Sequence, residues 1–532
     1  MKSRHSTHCL SRRAFLGGTV AAGAASLLPW PGRAPFASAA EAPRTGGVLK
    51  VAIIGEPPTL DAHWTTATLT HDVAWHLYEP LFTLDENYGV MPMLAEGHSV
   101  SDGGKLYTIR LRRGVPFHNG KEMTAEDVVA SVTRWGKVAT VGKFFFTTVQ
   151  SVQAKDRYTV ELRLTGPSGI VLPSLAGANQ FAAIYPKEVV EAAGDGQIKE
   201  FIGTGPFRLV ERVPDRYVRM GRFDRYAARS DTARGYGGKK VAYVDEVQFI
   251  PVPDVSVRIA GVESGEYHFS DWITPDAYNR LLQNPRLDVM IVKPNEWITG
   301  VFNKKGMFGN RTLRQAVVAA LDMEPIMRAA VGNKEFYRLD PSLYFKEQVW
   351  WSDVGKEVYN HPDPAKAKRL MQEAGYKGEP IRWMCTQFYE WMYKSALAAK
   401  QQLEEVGFKI DLQVMDWASL LKRMVNPKEW DVRTTGIGIA AQFDPAFHDV
   451  VSCAWAGWTC DAEIQRIQSE LARETDPKKR VALWEQQHRV FYEQAPVIRY
   501  GDLFGLRAIR SIVKGFNEKI ADMQLTNVWL DR

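Results

Sequence analysis

The sequence predicts a mixed α/β protein of more than one lobe, and three observations carry that expectation. Of 532 residues, about 490 follow an N-terminal export label, and 45% of the chain is apolar, enough for two or three packed units. Period-2 and helix-period stretches both occur along the chain, and from about residue 300 they alternate. No internal repeat or low-complexity segment interrupts them.

Taken in order, Leu49 to Ile54 reads as a buried strand, ended by the turn residues Glu56-Pro57-Pro58. "HDVAWHLYEPLF" (71–82) has helical periodicity, and "GKLYTIRLRRGVPF" (104–117) and "DRYTVELRL" (156–164) read as strands. Between those strands, "MTAEDVVASVTRW" (123–135) is a helix with Thr124 placed to cap it and Glu126 and Asp127 at the positive end of its dipole. Strands return in "GTGPFRLVERV", "YVRMGRF" and "VDEVQFIPV", followed by the helical "DVSVRIAGVESGEY". Beyond residue 300, "NRTLRQAVVAALDMEPIMRAAV" (310–331) reads as helical. "DPAKAKRLMQEAGY" (363–376) carries full punctuation: Asp363 caps, Pro364 opens, and Gly375 can take the left-handed stop. "SALAAKQQLEEVGFKIDLQVMDW" gives helix then strand, "KEWDVRT" a strand, and "DPKKRVALWEQQHRVFYEQAPVIRYGD" a long helix and a final strand.

Residues 1–40 are read as a twin-arginine signal peptide: Arg12 and Arg13 in "SRRAFLGG" precede a short, weakly apolar run from Gly17 to Leu28. Small residues place cleavage near Ala39 or Ala40, and Cys9, ahead of the arginines, lacks a lipid-attachment box. No later apolar run approaches the ~20 residues that span a bilayer, so a soluble periplasmic protein is expected. The net charge of +6 includes five basic residues of the label, Lys2, Arg4, Arg12, Arg13 and Arg33; without them the chain is near +1. The basicity belongs to the label, and nucleic acid is not an expected partner. Cys453 and Cys460 bracket "AWAGWT" as a disulfide candidate in an oxidising compartment, leaving Cys385 as a buried thiol. The 16 tryptophans are numerous, and pockets for organic ligands favour them as cores do.

A series of blocks in order resembles the large solute-binding proteins of ABC importers, the peptide/nickel group called family 5. They are "GEPPTLDAH", "YEPLFTLDENYGVMPMLAEGHSVSDGGKLYTIRLRRGVPFHNGKEMTAEDVVAS", "GTGPFRLV", "IPVPDVSVRIAGVESGEY", "RTLRQAVVAALD" and "DPAKAKRLMQEAGY". Two local patterns depart from the family: Gly265-Glu266-Tyr267-His268 where G-E-x-D is usual, and Tyr226-Ala227 where Tyr-Trp is usual. The resemblance implies a bilobal periplasmic-binding-protein fold, two α/β lobes with a hinge, plus an extra α/β domain inserted in lobe I. Carried over, lobe I comprises 41–78, 201–293 and 499–532, the extra domain 79–200, and lobe II 294–498. It also implies a monomer that captures a peptide-like or small organic solute between the lobes and hands it to an inner-membrane ABC permease with its ATPase. No catalysis and no cofactor are implied, and "FHNG" (His118, Asn119, Gly120) becomes a structural turn. Two alternatives share the frame: a nickel-type metal-complex binder, for which His63, His71 and His76 merit a test, and a receptor-like ligand sensor.

The stretch "TTGIGIAAQFDPAFHD" (434–449) spaces Gly436, Gly438 and Ala441 as G-x-G-x-x-A, a dinucleotide-loop pattern. Such a loop needs a helix opening at the glycines, and "QFDPAFHD" breaks the chain instead. The glycines then either admit a close approach to ligand or complete a tight strand end. In peptide-binding relatives this segment carries an acid that grips the α-amino group; here Ala440 or Ala441 stands in its place. An ammonium enclosed without a counter-charge costs several kcal/mol, so a neutral, aromatic, amide-rich pocket is expected, poorly built for a free N-terminus. The carried-over ligand-binding residues are Trp417, Thr65, Thr66, Thr68, Trp272, Trp391, Thr434, Thr435, Gly436 and Gln442, with Lys394 and Arg382 as alternative basic partners. A catalytic or metal set is not found: C-x-x-C, H-E-x-x-H, G-x-S-x-G and P-loop patterns are absent.

Overall fold

Two long antiparallel strands, Leu287–Phe302 and Val497–Arg510, form the spine of the molecule. The computed structural model describes residues 42–438 and 444–532, and of Ala418 the backbone alone. The export label, Ala440, Ala441 and Gln442 therefore lie outside the described residues. On one flank of the spine the main sheet continues through Val432–Gly438, Ile381–Cys385 and Ile410–Val414. On the other it continues through Phe269–Ser270, Val48–Ile53, Glu246–Pro251, Tyr217–Arg222 and Phe207–Val213. Helices packed on each flank make two α/β lobes joined by the spine strands, the bilobal architecture expected. A separate antiparallel sheet, Ala95–Ser101, Leu106–Leu111, Thr159–Leu164 and Val149–Asp156, belongs to the inserted α/β element.

The local rules hold where capping chemistry is strong. Asp127 reaches back to the Thr124 amide at 2.8 Å and opens the Ala125–Val138 helix. Asp363 accepts from the Lys366 amide at 2.9 Å, Pro364 opens the helix, and Gly375 sits at φ +74°. Two helix boundaries need correction. The first helix is Thr68–Leu77, not 71–82, because Pro80 cannot extend it and Phe82 enters a strand. The stretch 310–331 is helical as expected, as two helices, Arg311–Ala319 and Met323–Val331, with Asp322 capping the second by accepting from the Glu324 amide at 3.0 Å. The helix placed from Ser395 begins at Glu390.

One hydrophobic core runs from the first strand through Trp75 and Trp135 to Trp430 and Trp484, and a second gathers about Phe302, Trp383, Ile498 and Tyr500. "FHNG" is a turn: the Gly120 amide donates to the Phe117 carbonyl, and the His118 ring lies between the Gly203 amide and the Gly205 carbonyl. Away in sequence from the spine, the inserted element meets the segment after residue 444. The Gly169 amide donates to the Ala472 carbonyl at 3.0 Å, Ser168 Oγ donates to the same oxygen at 3.2 Å, and Phe144 meets Phe447 edge-on.

Candidate functional site

A cavity of about 540 Å³ opens beside the spine, lined from both flanks, within the range of small-molecule pockets. One wall is aromatic. Tyr389 is its centre, with Trp272 at 6.0 Å, Trp391 at 5.8 Å, Phe388 at 4.9 Å and Trp417 at 5.5 Å between ring centroids. Trp272 reaches it from the opposite flank. Its backbone sits at φ +53°, a left-handed conformation costly for a bulky residue, and it is held at both ends. The Trp272 amide donates to Asp271 at 2.8 Å, and its carbonyl accepts from Arg258 at 2.9 Å.

The other wall is acidic. Asp72, Asp271 and Asp522 come from a helix, a strand end and the C-terminal segment. Arg507 donates to Asp271 at 3.0 Å and also bonds the Ala521 carbonyl. Burial raises the Asp72 carboxyl well above its ordinary range, with the Asp522 and Asp271 charges adding to the effect. Burial also lifts Asp522 to about 6, while a hydrogen bond from Tyr236 at 3.0 Å opposes it.

Glu296 adds a fourth acid to the lining. It lies where the spine pairing breaks between Val292 and Glu296, which releases residues 293–295 from the ladder. A Cβ on Gly436 would come within 2.0 Å of Glu296 Oε2 and 2.9 Å of the Trp391 ring, so glycine is what lets both side chains pack over that strand. Oε1 of Glu296 is sealed and has no hydrogen-bond partner among the described residues. Desolvation alone pushes this carboxyl up to about 8, and its charge joins burial in raising Tyr389 to about 12.

The carried-over residues separate into three groups. Thr68, Trp272 and Trp391 line the cavity. Trp417 and Gly436 form the layer behind it, Trp417 against the Tyr389 edge at 88° and Gly436 beneath Glu296 and Trp391. The rest of the described residues point elsewhere. Thr65 accepts from the Ala67 amide, and Thr66 is exposed outside the lining. Thr434 is buried and accepts from the Trp383 indole at 2.9 Å, and Thr435 turns to its own strand. The alternative basic partners are committed: Arg382 to Asp431 and the Lys428 carbonyl, Lys394 to Glu390. Gly436 and Gly438 lie within the Val432–Gly438 strand, and among the described residues no helix opens at these glycines, as a phosphate loop would need. The expectation of a neutral pocket is also corrected, because acids from distant segments converge on it.

Sequence reasoning missed Tyr389, Glu296 and the aspartates. Tyr389 stands two residues from Trp391 in the same aromatic run, a signal that was available; Glu296 follows "KPN", which reads as a turn. His63, His71 and His76 face separate backbone partners, the Ala183 and Thr65 carbonyls and the Leu525 amide. Burial holds them neutral, at about 4, 4 and 3. Cys453 and Cys460 are disulfide-bonded, and their loop places Trp455 4.5 Å from the Arg433 guanidinium at the start of the Val432–Gly438 strand. Cys385 is buried, its thiol pushed up to about 12.

Two lobes on shared spine strands, with a cavity lined from both, define a solute-binding protein. The family model described as "Bacterial extracellular solute-binding proteins, family 5 Middle" matches residues 89–456, and the chain belongs to this family. It is a family of transport proteins, not of enzymes. Similar relatives include the "Probable peptide ABC transporter periplasmic-binding protein y4tO" of Sinorhizobium fredii, 27% identical over 92% of this chain and 94% of the relative. The dipeptide-binding protein of Escherichia coli is 28% identical over 80% of this chain and 83% of its own. Among solved structures, the oligopeptide-binding protein AppA of Bacillus subtilis with a nonapeptide matches the fold at TM-score 0.77, 23% identical, over 92% of this chain and 100% of that one. Among the described residues, no helix is long and apolar enough to cross a membrane.

Proposed function

We propose that this protein captures a peptide-like or small organic solute in the cavity beside the spine strands and delivers it to an inner-membrane ABC permease. The observation that carries the reading is the cavity itself. Its aromatic wall draws Trp272 from one flank and Tyr389 and Trp391 from the other, so a solute lying on it bridges both lobes and favours their closure. The relatives named for peptides support a peptide-type solute. In this reading lobe I is 41–78, 201–293 and 499–532, the extra domain 79–200 and lobe II 294–498. The protein acts as a monomer after twin-arginine export to the periplasm and cleavage near Ala39 or Ala40.

Thermal shift tests the capture. Protein unfolded and refolded to remove cargo is scanned against free and end-blocked di- to pentapeptides, sugars, opines and nickel complexes. A ligand at 100 times its Kd adds about 2.7 kcal/mol and raises the midpoint. A panel with no shift for any solute overturns the reading; a shift confined to nickel complexes moves it to metal-complex capture.

A further inference from the structure

Acidic groups outnumber basic ones around the cavity. Among the described lining residues the acids are Asp72, Asp271, Glu296, Glu390 and Asp522, and the bases are Arg258 and Arg507. Glu390 is exposed and paired with Lys394. Arg258 is committed to backbone: it donates to the Val252, Pro253 and Trp272 carbonyls at 2.7–2.9 Å. Arg507 bonds Asp271, and its charge is shared with Asp72 and Asp522. A carboxylate of a ligand placed near Arg507 would meet those two aspartates as well. Glu296 has the opposite problem, since its Oε1 is sealed without a donor while the side chain borders the cavity. Ionised, such a group costs free energy, so the free protein holds Glu296 protonated near neutral pH; a cationic donor that pairs with the carboxylate takes the place of that proton, which leaves to solvent. The aromatic rings beside it add attraction for the same kind of group.

We propose that the cavity selects organic cations: the protonated amine of the solute meets Glu296, its body lies on the Trp272–Tyr389–Trp391 wall, and it brings no carboxylate into the cavity. This deepens the capture reading and rests on the cavity being the ligand site. Counter-charge for the amine is then supplied from the spine strand. The ammonium can come from a peptide N-terminus or from a non-peptide amine.

Isothermal titration calorimetry on the refolded, cargo-stripped protein separates the possibilities. The probes are phenylalanyl-leucine amide (a cation), the free dipeptide (a zwitterion), N-acetyl-phenylalanyl-leucine (an anion) and phenethylamine. The amide is expected to bind at least tenfold more tightly than the zwitterion, with the anion unbound, and E296Q to lose at least tenfold for the amide. Phenethylamine binding near the amide's strength assigns the preference to amines in general; its failure beside a bound amide assigns it to peptide N-termini, and either supports the proposal. Equal binding of the N-acetyl acid and the amide overturns it without needing a variant, as does amide binding unchanged in E296Q; in both cases solute capture still stands. Absence of binding by every probe, together with no thermal shift across the wider panel, overturns both.

Discussion

The aromatic and acidic walls of the cavity are built by opposite routes. Phe388, Tyr389 and Trp391 are near neighbours in sequence, joined by Trp272 from across the spine and backed by Trp417. Asp72, Asp271, Glu296 and Asp522 come from four separated segments, and only the fold brings them together. Rings supply area and stacking that survive small displacements. Buried carboxylates that feel one another's charge depend on every neighbour, so the acidic wall is the more fragile of the two.

That difference can be broken from either side. Asp271→Ala has the largest expected effect, a stability loss of about 3–5 kcal/mol in chemical denaturation, because it leaves the buried Arg507 without its ion-pair partner. Stability within about 1 kcal/mol of the parent would show that Asp72 and Asp522 hold Arg507 unaided. On the aromatic side, Tyr389→Ala is expected to weaken solute binding by about 2 kcal/mol with little change in midpoint, as read by calorimetry and melting on one preparation. The reverse pattern, lower stability with intact affinity, would make Tyr389 a packing residue.

Glu296→Gln sharpens the contrast within the acidic wall, because here removing charge stabilises. The folded-state pKa of about 8 lies above the ordinary 4.5, so the folded chain binds the extra proton and the parent loses stability as pH rises through that interval. The variant lacks this loss and gains on the parent by about 1–3 kcal/mol at pH 9, and less at pH 5. Parallel stability curves for the two from pH 5 to 9 would contradict it. Smallest is Trp417→Ala, about 1 kcal/mol in affinity, since Trp417 acts by steadying Tyr389 from behind. An effect equal to that of Tyr389→Ala would place Trp417 on the solute itself.

What was legible in the sequence follows the same division. Helix ends with strong caps, at Thr124 and Asp363, could be read locally because a side chain and a nearby amide suffice. The Leu287–Phe302 strand could not: its last six residues are all buried, which erases the period-2 signal, and "KPNE" (293–296) across its middle mimics a turn. Trp272 and Trp391 came through because aromatic residues stand out in short motifs. Thr434 had the right segment, but the pleat turns it to the core, where it takes the Trp383 indole proton. Glu296 shows the limit most clearly. Scanning 436–443 for an acid looks along one stretch of chain, while the Glu296 carboxylate lies over Gly436 from the neighbouring strand.

The contact at Gly169 has a consequence for how such a protein can diversify. A Cβ there would fall 2.0 Å from the Glu474 carbonyl oxygen and 2.3 Å from Arg480 Nη1, so this point of the junction admits no side chain at position 169. The cavity is lined by other residues, reached through other loops. Drift in the rings and acids of the cavity can therefore proceed without redrawing this junction, and a lineage can change its diet while keeping its clasp.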